Sequence, residues 1–245
     1  MNLIIDLGNT ASKFFLYDSN NLKDFFTIPN TLEINLLCGI LQNKISDKKV
    51  EKLIVSSVIG YDNDFIFDLK NTFQNVLILD SSTNIPIKNL YETPHTLGYD
   101  RIAGVVGANY LYPKTNLLVV DAGTAITYDF INDNEEYFGG NISPGIDLRF
   151  KALNTFTKKL PLVSRNDSEN FIGANTEEAI RLGVQNGLIF EIQGYIDIFQ
   201  QKYKNNKIIL TGGDCFFFDK KLKRIIFAQP NLISIGLNRI LEYND

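Results

Sequence analysis

Apolar residues come in short runs with polar breaks. Leu3-Ile4-Ile5 opens the chain, Asp6-Leu7-Gly8-Asn9-Thr10 follows, and Phe14-Phe15-Leu16-Tyr17 resumes the apolar character. Two short strands around a Gly-Asn turn predict a hairpin. Phe25 to Ile28 reads as a third strand. From Thr31 to Lys44, Leu32, Leu36, Leu37, Ile40 and Leu41 recur at helical spacing. Lys52–Ser56 then reads as a strand, Asp64–Phe73 as a helix and Val76–Leu79 as a strand. Three strands followed by alternating helix and strand is an α/β pattern. Residues 80–97, broken by Pro86 and Pro94, read as a loop. Ile102–Leu111 reads as a helix rich in small residues, ended by Pro113.

The second half repeats the opening of the first. Leu117-Leu118-Val119-Val120 leads into Asp121-Ala122-Gly123-Thr124-Ala125 and a further apolar stretch, 121 − 6 = 115 residues after the first copy. A repeat on that scale predicts two similar domains, 1–113 and 114–245, rather than a solenoid. Glu136–Ile142 is the expected third strand of the second domain. Thr176–Tyr203 reads as one long helix, with Thr176 as N-cap and Glu177 and Glu178 at the positive end of its dipole. Ile180, Val184, Leu188, Ile192 and Ile196 give it an apolar face. Gly183 and Gly187, four apart, each cost about 1 kcal/mol of helix propensity against alanine, which close approach of another backbone would explain. Ile208–Leu210 is a strand ending in Thr211-Gly212-Gly213-Asp214, and Leu232–Tyr243 a closing helix.

Charge narrows the field of partners. The 245 residues carry 24 Lys and Arg against 28 Asp and Glu, a net −4. No basic footprint for nucleic acid is present, and no apolar run approaches the ~20 residues of a membrane span. No secretory signal opens the sequence. Cys38 and Cys215 suggest neither a disulfide framework nor a zinc site, and the expected compartment is the cytoplasm.

Candidate chemistry concentrates in three places. A Walker loop, a G-x-G-x-x-G after the first strand, H-E-x-x-H and G-x-S-x-G are all missing from the sequence, and the single histidine, His95, sits in a loop. The Asp-x-Gly turns are more telling. A tight turn at a strand end directs backbone N–H groups outward, and such clusters hold anions. Its Asp suits Mg²⁺, which takes few carboxylates plus phosphate and water. Lys13 on the next strand adds positive charge. One such turn is also an ordinary hairpin turn. Two copies, with the Gly212-Gly213 strand end, resemble the actin, sugar-kinase and Hsp70-type ATPases. The third place is Gly98-Tyr99-Asp100-Arg101: Gly98 admits a ligand to the backbone, Asp100 can orient a hydroxyl, and Arg101 offers a planar fork to a carboxylate. The same residues also make an ordinary helix start.

Taken together, Asp6-Leu7-Gly8-Asn9-Thr10, Gly98-Tyr99-Asp100-Arg101, Asp121-Ala122-Gly123-Thr124-Ala125, Gly139-Gly140-Asn141-Ile142-Ser143-Pro144-Gly145 and Asn175-Thr176-Glu177-Glu178-Ala179 resemble, in this order and nearly end to end, the type III pantothenate kinases. The resemblance implies two ribonuclease-H-like (actin-like ATPase) domains facing each other across a cleft, and transfer of phosphate from ATP to the 4′-hydroxyl of pantothenate, the first step toward coenzyme A. It implies Asp100 as proton acceptor, and a pantothenate site of Tyr91, Gly98, Tyr99, Asp100 and Arg101, with Arg101 on the carboxylate. Asp6, Leu7, Gly8, Asn9, Thr10, Ala11, Ser12 and Lys13 correspond to the ATP and Mg²⁺ loop, and Thr124 to an ATP contact. Asp121 corresponds to the ligand of a monovalent cation, K⁺ or NH₄⁺. Thr176 corresponds to a threonine reaching the partner's site in a homodimer. Alternatives are a kinase of the same fold for another small hydroxylated substrate, and a regulatory accessory protein without turnover.

Overall fold

The computed structural model describes residues 1–30, 34–45, 48–60, 63–168, 170–222 and 226–245. In chain order the elements are β1 (Asn2–Leu7), β2 (Ala11–Asp18), β3 (Asn21–Pro29), α1 (Ile34–Ile45), β4 (Lys52–Ser57), α2 (Asn63–Thr72), β5 (Val76–Ile78), β6 (Lys88–Asn89), α3 (Tyr99–Leu111), β7 (Asn116–Ala122), β8 (Ala125–Ile131), β9 (Glu136–Pro144), α4 (Ile146–Phe156), α5 (Thr176–Lys202), β10 (Asn206–Thr211), α6 (Cys215–Asp219), β11 (Phe227–Ala228) and α7 (Leu232–Tyr243). The predicted start of the first helix, at Thr31, lies outside the described residues.

Two compact units result. The first comprises Met1–Pro113, Glu135–Tyr137 and Asn231–Asp245; the second comprises Lys114–Asn134 and Phe138–Pro230.

In the first unit the sheet order is β3-β2-β1-β4-β5. β1 runs antiparallel to β2 and parallel to β4. Every residue of β1 is buried, as a central strand covered on both faces requires. Alternate side chains go to opposite faces. Leu3, Ile5 and Leu7 join Phe14, Leu16, Leu53 and Val55 in a core that includes Leu41 of α1 and Phe65 and Leu69 of α2. Residues of the opposite parity lie against α7: Asn2 Nδ2 donates to Asn238 Oδ1 (2.8 Å), and the Tyr17 and Ser234 hydroxyls are 2.8 Å apart. α7 packs mainly on α3. The crossing is close because both helices present glycine: a Cβ on Gly236 would overlap the Ala103 carbonyl, and one on Gly107 the Leu232 carbonyl. The expected C-terminal domain of 114–245 is therefore corrected at its end. α7 belongs with the first unit, since its buried partners are α3, β1 and β4.

In the second unit β7 runs antiparallel to β8 and parallel to β10, which is parallel to β11. Leu118, Val120, Ala122, Ile126, Tyr128, Ile208 and Leu210 form one face, covered by Ile146 and Phe150 of α4 and by Ile180, Val184, Leu188, Ile192 and Ile196 of α5. The apolar spacing read along the long helix is thus its buried stripe. Its N-cap is Asn175 rather than Thr176: the Asn175 Oδ1 accepts from the Glu178 N–H (3.0 Å), and Glu178 Oε2 accepts from Ala174 N–H (2.9 Å). Among the described residues, nothing beyond the local helix backbone comes within 4 Å of a Cβ placed on Gly183 or Gly187. Close packing within this chain does not account for them.

Candidate active site

The first hairpin places Asp6 and Lys13 directly opposite each other across β1 and β2. The turn between them is closed by Gly8 N–H donating to Ala11 O (3.2 Å). Asn30, at the end of β3, holds it from outside: its Nδ2 donates to Gly8 O (2.7 Å) and Asn9 O (3.1 Å), and its Oδ1 accepts from the Ser12 hydroxyl (3.2 Å). With Asn30 occupying carbonyls, the exposed Asn9 and Thr10 present a turn of fixed shape. Asp6 is only 6% exposed. Burial pushes its carboxyl up to about 6; the Lys13 ammonium pulls the other way and the Asp100 carboxylate adds to the rise. The two acids singled out from sequence, 94 positions apart, therefore act on each other within one unit.

Asp100 sits in the first turn of α3, which begins at Tyr99 rather than Ile102 because Gly98 takes the extended N-cap conformation. Asp100 Oδ1 accepts from the Arg101 N–H (2.8 Å). A Cβ on Gly98 would overlap that same Oδ1, so glycine there leaves room for the carboxylate. Arg101 is 7% exposed. Its guanidinium carbon stands 5.5 Å from the centroid of the half-buried Tyr91 ring, and Tyr91 stacks on Tyr137 at 6.4 Å. The Tyr91 segment is annealed to the start of β9: Lys88 pairs with Glu136 and Asn89 with Tyr137, and Leu90 N–H donates to Tyr137 O (2.8 Å). Tyr91, Gly98, Tyr99, Asp100 and Arg101 thus share one neighbourhood of the first unit. His95 is exposed on a short 3₁₀ turn, Pro94–Thr96.

The second hairpin repeats the first with one change. Gly123 N–H closes its turn on Ala125 O (3.1 Å), but the residue across from Asp121 is Thr127, not a lysine. The segment before α4 backs this turn, with Gly145 N–H donating to Thr124 O (3.0 Å). Arg149 holds that segment in place. Its Nε donates to Pro144 O (2.8 Å), and its Nη2 donates to both Ser143 Oγ (2.9 Å) and Glu191 Oε2 (2.5 Å). Glu191 Oε1 accepts from the Tyr128 hydroxyl (2.9 Å). Burial works against the Glu191 charge, but bonds from Arg149, Ser143 and Tyr128 together hold its carboxyl below the usual range. Gly212 has φ +91°, and a Cβ there would overlap Asp121 Oδ1; only glycine lets the strand end pass beneath this carboxylate.

Two observations bear on ions. Among the described residues, no group of three or more His, Cys, Asp and Glu is placed to hold a metal. Among the described residues, three buried side-chain atoms have no hydrogen-bond partner: Ser56 Oγ, Asn109 Oδ1 and Thr211 Oγ1. Ser56 is the register neighbour of Asp6 and Thr211 that of Asp121. An unmet buried polar group costs about 1–3 kcal/mol, so each hydroxyl beside a strand-end Asp fits a site completed by a ligand.

Sequence alone does not mark Asn30, Tyr137, Ser56 or the Arg149–Glu191 pair. Each acts through a partner distant in sequence.

The profile of the type III pantothenate kinase family matches residues 2–198. A type III pantothenate kinase of Phocaeicola vulgatus is 47% identical over 247 residues, covering 100% of this chain and 99% of that protein. The crystal structure of a conserved putative Baf family transcriptional activator from Campylobacter jejuni matches with TM-score 0.64 and 26% identity, covering 99% of this chain and 98% of that one. A putative N-acetylmannosamine kinase from Listeria monocytogenes matches with TM-score 0.60 at 12% identity, covering 100% and 99%, which shows a shared fold. Two hairpin-led α/β units and a family match over most of the chain agree, and the chain belongs to the type III pantothenate kinase family.

Proposed function

We propose that this protein transfers the γ-phosphoryl group of ATP to the 4′-hydroxyl of pantothenate, opening coenzyme A synthesis, in the cytoplasm. The observation that carries the reading is the Asp6–Asp100 pair: an acid beside an anion-binding turn, within electrostatic reach of an acid beside a buried arginine. Phosphoryl transfer asks mainly for positioning and charge stabilisation. Bound Mg²⁺ would supply charge neutralisation on the β- and γ-phosphates. The N–H groups of Asn9 and Thr10 and the Lys13 ammonium take phosphate oxygens, with Leu7, Gly8, Ala11 and Ser12 fixing the turn. Arg101 takes the pantothenate carboxylate, flanked by Tyr91 and Tyr99, while Gly98 lets the substrate lie against the backbone. Asp100 holds the hydroxyl in line and accepts its proton late, so an ordinary carboxylate suffices. In the second unit Thr124 contacts ATP and Asp121 holds K⁺ or NH₄⁺.

The working form is a homodimer in which Thr176 reaches the partner's pantothenate. Support comes from α5, where exposed Phe190 and Ile198 lie along the helix with the uncovered Gly183 and Gly187. Among the described residues no helix is long and apolar enough to cross a membrane.

The test is ADP release from purified protein with Mg-ATP and K⁺, with and without pantothenate. Pantothenate-dependent ADP that is lost in a Na⁺ buffer supports both substrate and cation. ADP without pantothenate dependence overturns the substrate. A second reading, a regulatory protein without turnover, is favoured only by the likeness to the 26%-identical Campylobacter jejuni protein, which is named as an activator of transcription; absence of ADP from folded protein would support it.

A further inference from the structure

Ser56 and Thr211 occupy equivalent places in the two units. Each lies at the end of the strand parallel to the one that carries the hairpin Asp: β4 beside β1, and β10 beside β7. Each is paired in register with that Asp, Ser56 with Asp6 and Thr211 with Asp121. Register neighbours in a parallel sheet point to the same face, with strands about 4.8 Å apart, so hydroxyl and carboxylate stand side by side. Ser56 is fully buried and Thr211 is 1% exposed, and among the described residues neither hydroxyl has a hydrogen-bond partner.

The surroundings differ in one respect that assigns a task. Asp6 has Lys13 directly across from it, whereas Asp121 has Thr127. A cation beside Asp6 competes with an ammonium; a cation beside Asp121 does not meet one on that strand. Gly212 also brings the β10 strand end under Asp121, because a side chain there would collide with the carboxylate. Thr211 and Gly212 thus shape one corner around Asp121: the first supplies an oxygen, the second supplies space. Large monovalent cations take several neutral oxygen donors with few charges, and a buried hydroxyl with unused lone pairs is such a donor. Valine would fill the same volume in a strand without leaving a polar atom unmet.

We propose that Thr211 Oγ1 is the second protein oxygen of the monovalent-cation site at Asp121, with the cation satisfying the otherwise unpartnered hydroxyl. The inference rests on the reading of Asp121 as the cation ligand.

The experiment is direct titration of KCl against choline chloride, by calorimetry and thermal shift, on the full-length protein with Mg²⁺ and a non-hydrolysable ATP analogue. Wild type, Asp121→Asn, Thr211→Val and Thr211→Ser are compared. The expected result is K⁺ binding by wild type, binding weakened tenfold or more in Thr211→Val, and substantial recovery in Thr211→Ser. With K⁺ replaced by choline, Thr211→Val should melt no lower than wild type, since it removes an unmet polar group. Thr211→Val binding K⁺ as wild type does, while Asp121→Asn does not, overturns the role of Thr211 alone. No K⁺ binding by wild type overturns the Asp121 site and this inference together. A Thr211→Val protein that melts lower in choline and is not rescued by serine marks Thr211 as a packing residue and also overturns the inference.

Discussion

The Arg101 guanidinium carbon lies 5.5 Å from the centroid of the Tyr91 ring, with Arg101 7% exposed. A buried cation held against an aromatic face is oriented as well as stabilised. Arg101→Lys keeps the charge but loses the planar fork. The pantothenate KM should rise roughly tenfold or more, the cost of about 1.4 kcal/mol, with kcat little changed and the ATP KM unchanged. Tyr91→Leu should shift the same constant in the same direction by less. Steady-state kinetics in both substrates check this, and an unchanged pantothenate KM removes Arg101 from the carboxylate.

Asp100→Asn keeps the size of the side chain and removes the proton acceptor. Loss of a positioned base costs roughly 100- to 10,000-fold, and it should fall on kcat rather than on either KM. Near-normal turnover in this variant would exclude Asp100 from proton transfer.

For metal-free protein, Asp6 predicts a pH dependence of stability with a definite sign. The folded carboxyl, pushed by burial to about 6, binds a proton more tightly than an unfolded Asp at ~3.9. The folded state therefore holds more protons between about pH 4 and 6, and stability falls as pH rises through that window, by about 2–3 kcal/mol in all. Asp6→Asn should flatten the profile and be more stable than wild type at pH 7. Urea unfolding from pH 4 to 8 in the presence of chelator measures it; parallel profiles would refute it.

Glu191→Gln breaks the partly buried pair with Arg149 while keeping a hydrogen-bond acceptor. A loss of about 1–2 kcal/mol is expected, because Arg149 keeps its charge, with a Tm fall of about 2–8 °C. Since Arg149 also anchors Ser143 and Pro144, whose neighbour Gly145 bonds Thr124, the ATP KM should rise and the pantothenate KM should not. Equal rises in both would mean general loosening.

Gly236→Ala inserts a methyl into the Ala103 carbonyl. Overpacking of this kind costs about 1–3 kcal/mol, whereas Gly183→Ala, at an uncovered position, should stabilise the free chain through helix propensity. Denaturant midpoints of the two variants distinguish them.

The hairpins and central strands are legible in sequence as short unbroken apolar runs ended by turn residues, and the long helix because its apolar residues follow a period of 3.6. The first hairpin read from Leu3-Ile4-Ile5 and Phe14–Tyr17 is β1–β2, and the stripe of Ile180, Val184, Leu188, Ile192 and Ile196 is buried as read. What escapes is set by long-range contact. α4 is left unassigned by sequence: it directly follows Pro144-Gly145, and only Ile146 and Phe150 of its residues are buried. α6 and β11 span only Cys215–Asp219 and Phe227–Ala228, too few residues to show a period. At the site, Asp6, Lys13, Asp100 and Arg101 carry charge in turn-forming or cap-forming contexts, which marks them locally. Asn30 and Tyr137 carry no such mark. Their roles exist only once β3 lies beside β2 and the start of β9 beside the Tyr91 segment.

The attachment of α7 to the first unit has a consequence for biosynthesis. Synthesis runs from the N-terminus, so β1 to β5 and α3 leave the ribosome long before Leu232–Tyr243 exists. Until then the glycine-lined groove on α3 and the polar ends of Asn2 and Tyr17 have no cover. The second unit, whose strands and helices are contiguous in sequence apart from Glu135–Tyr137, can complete itself first. The half of the protein that is made earliest is thus finished last, and a chain cut anywhere before Asn231 would leave its first unit open.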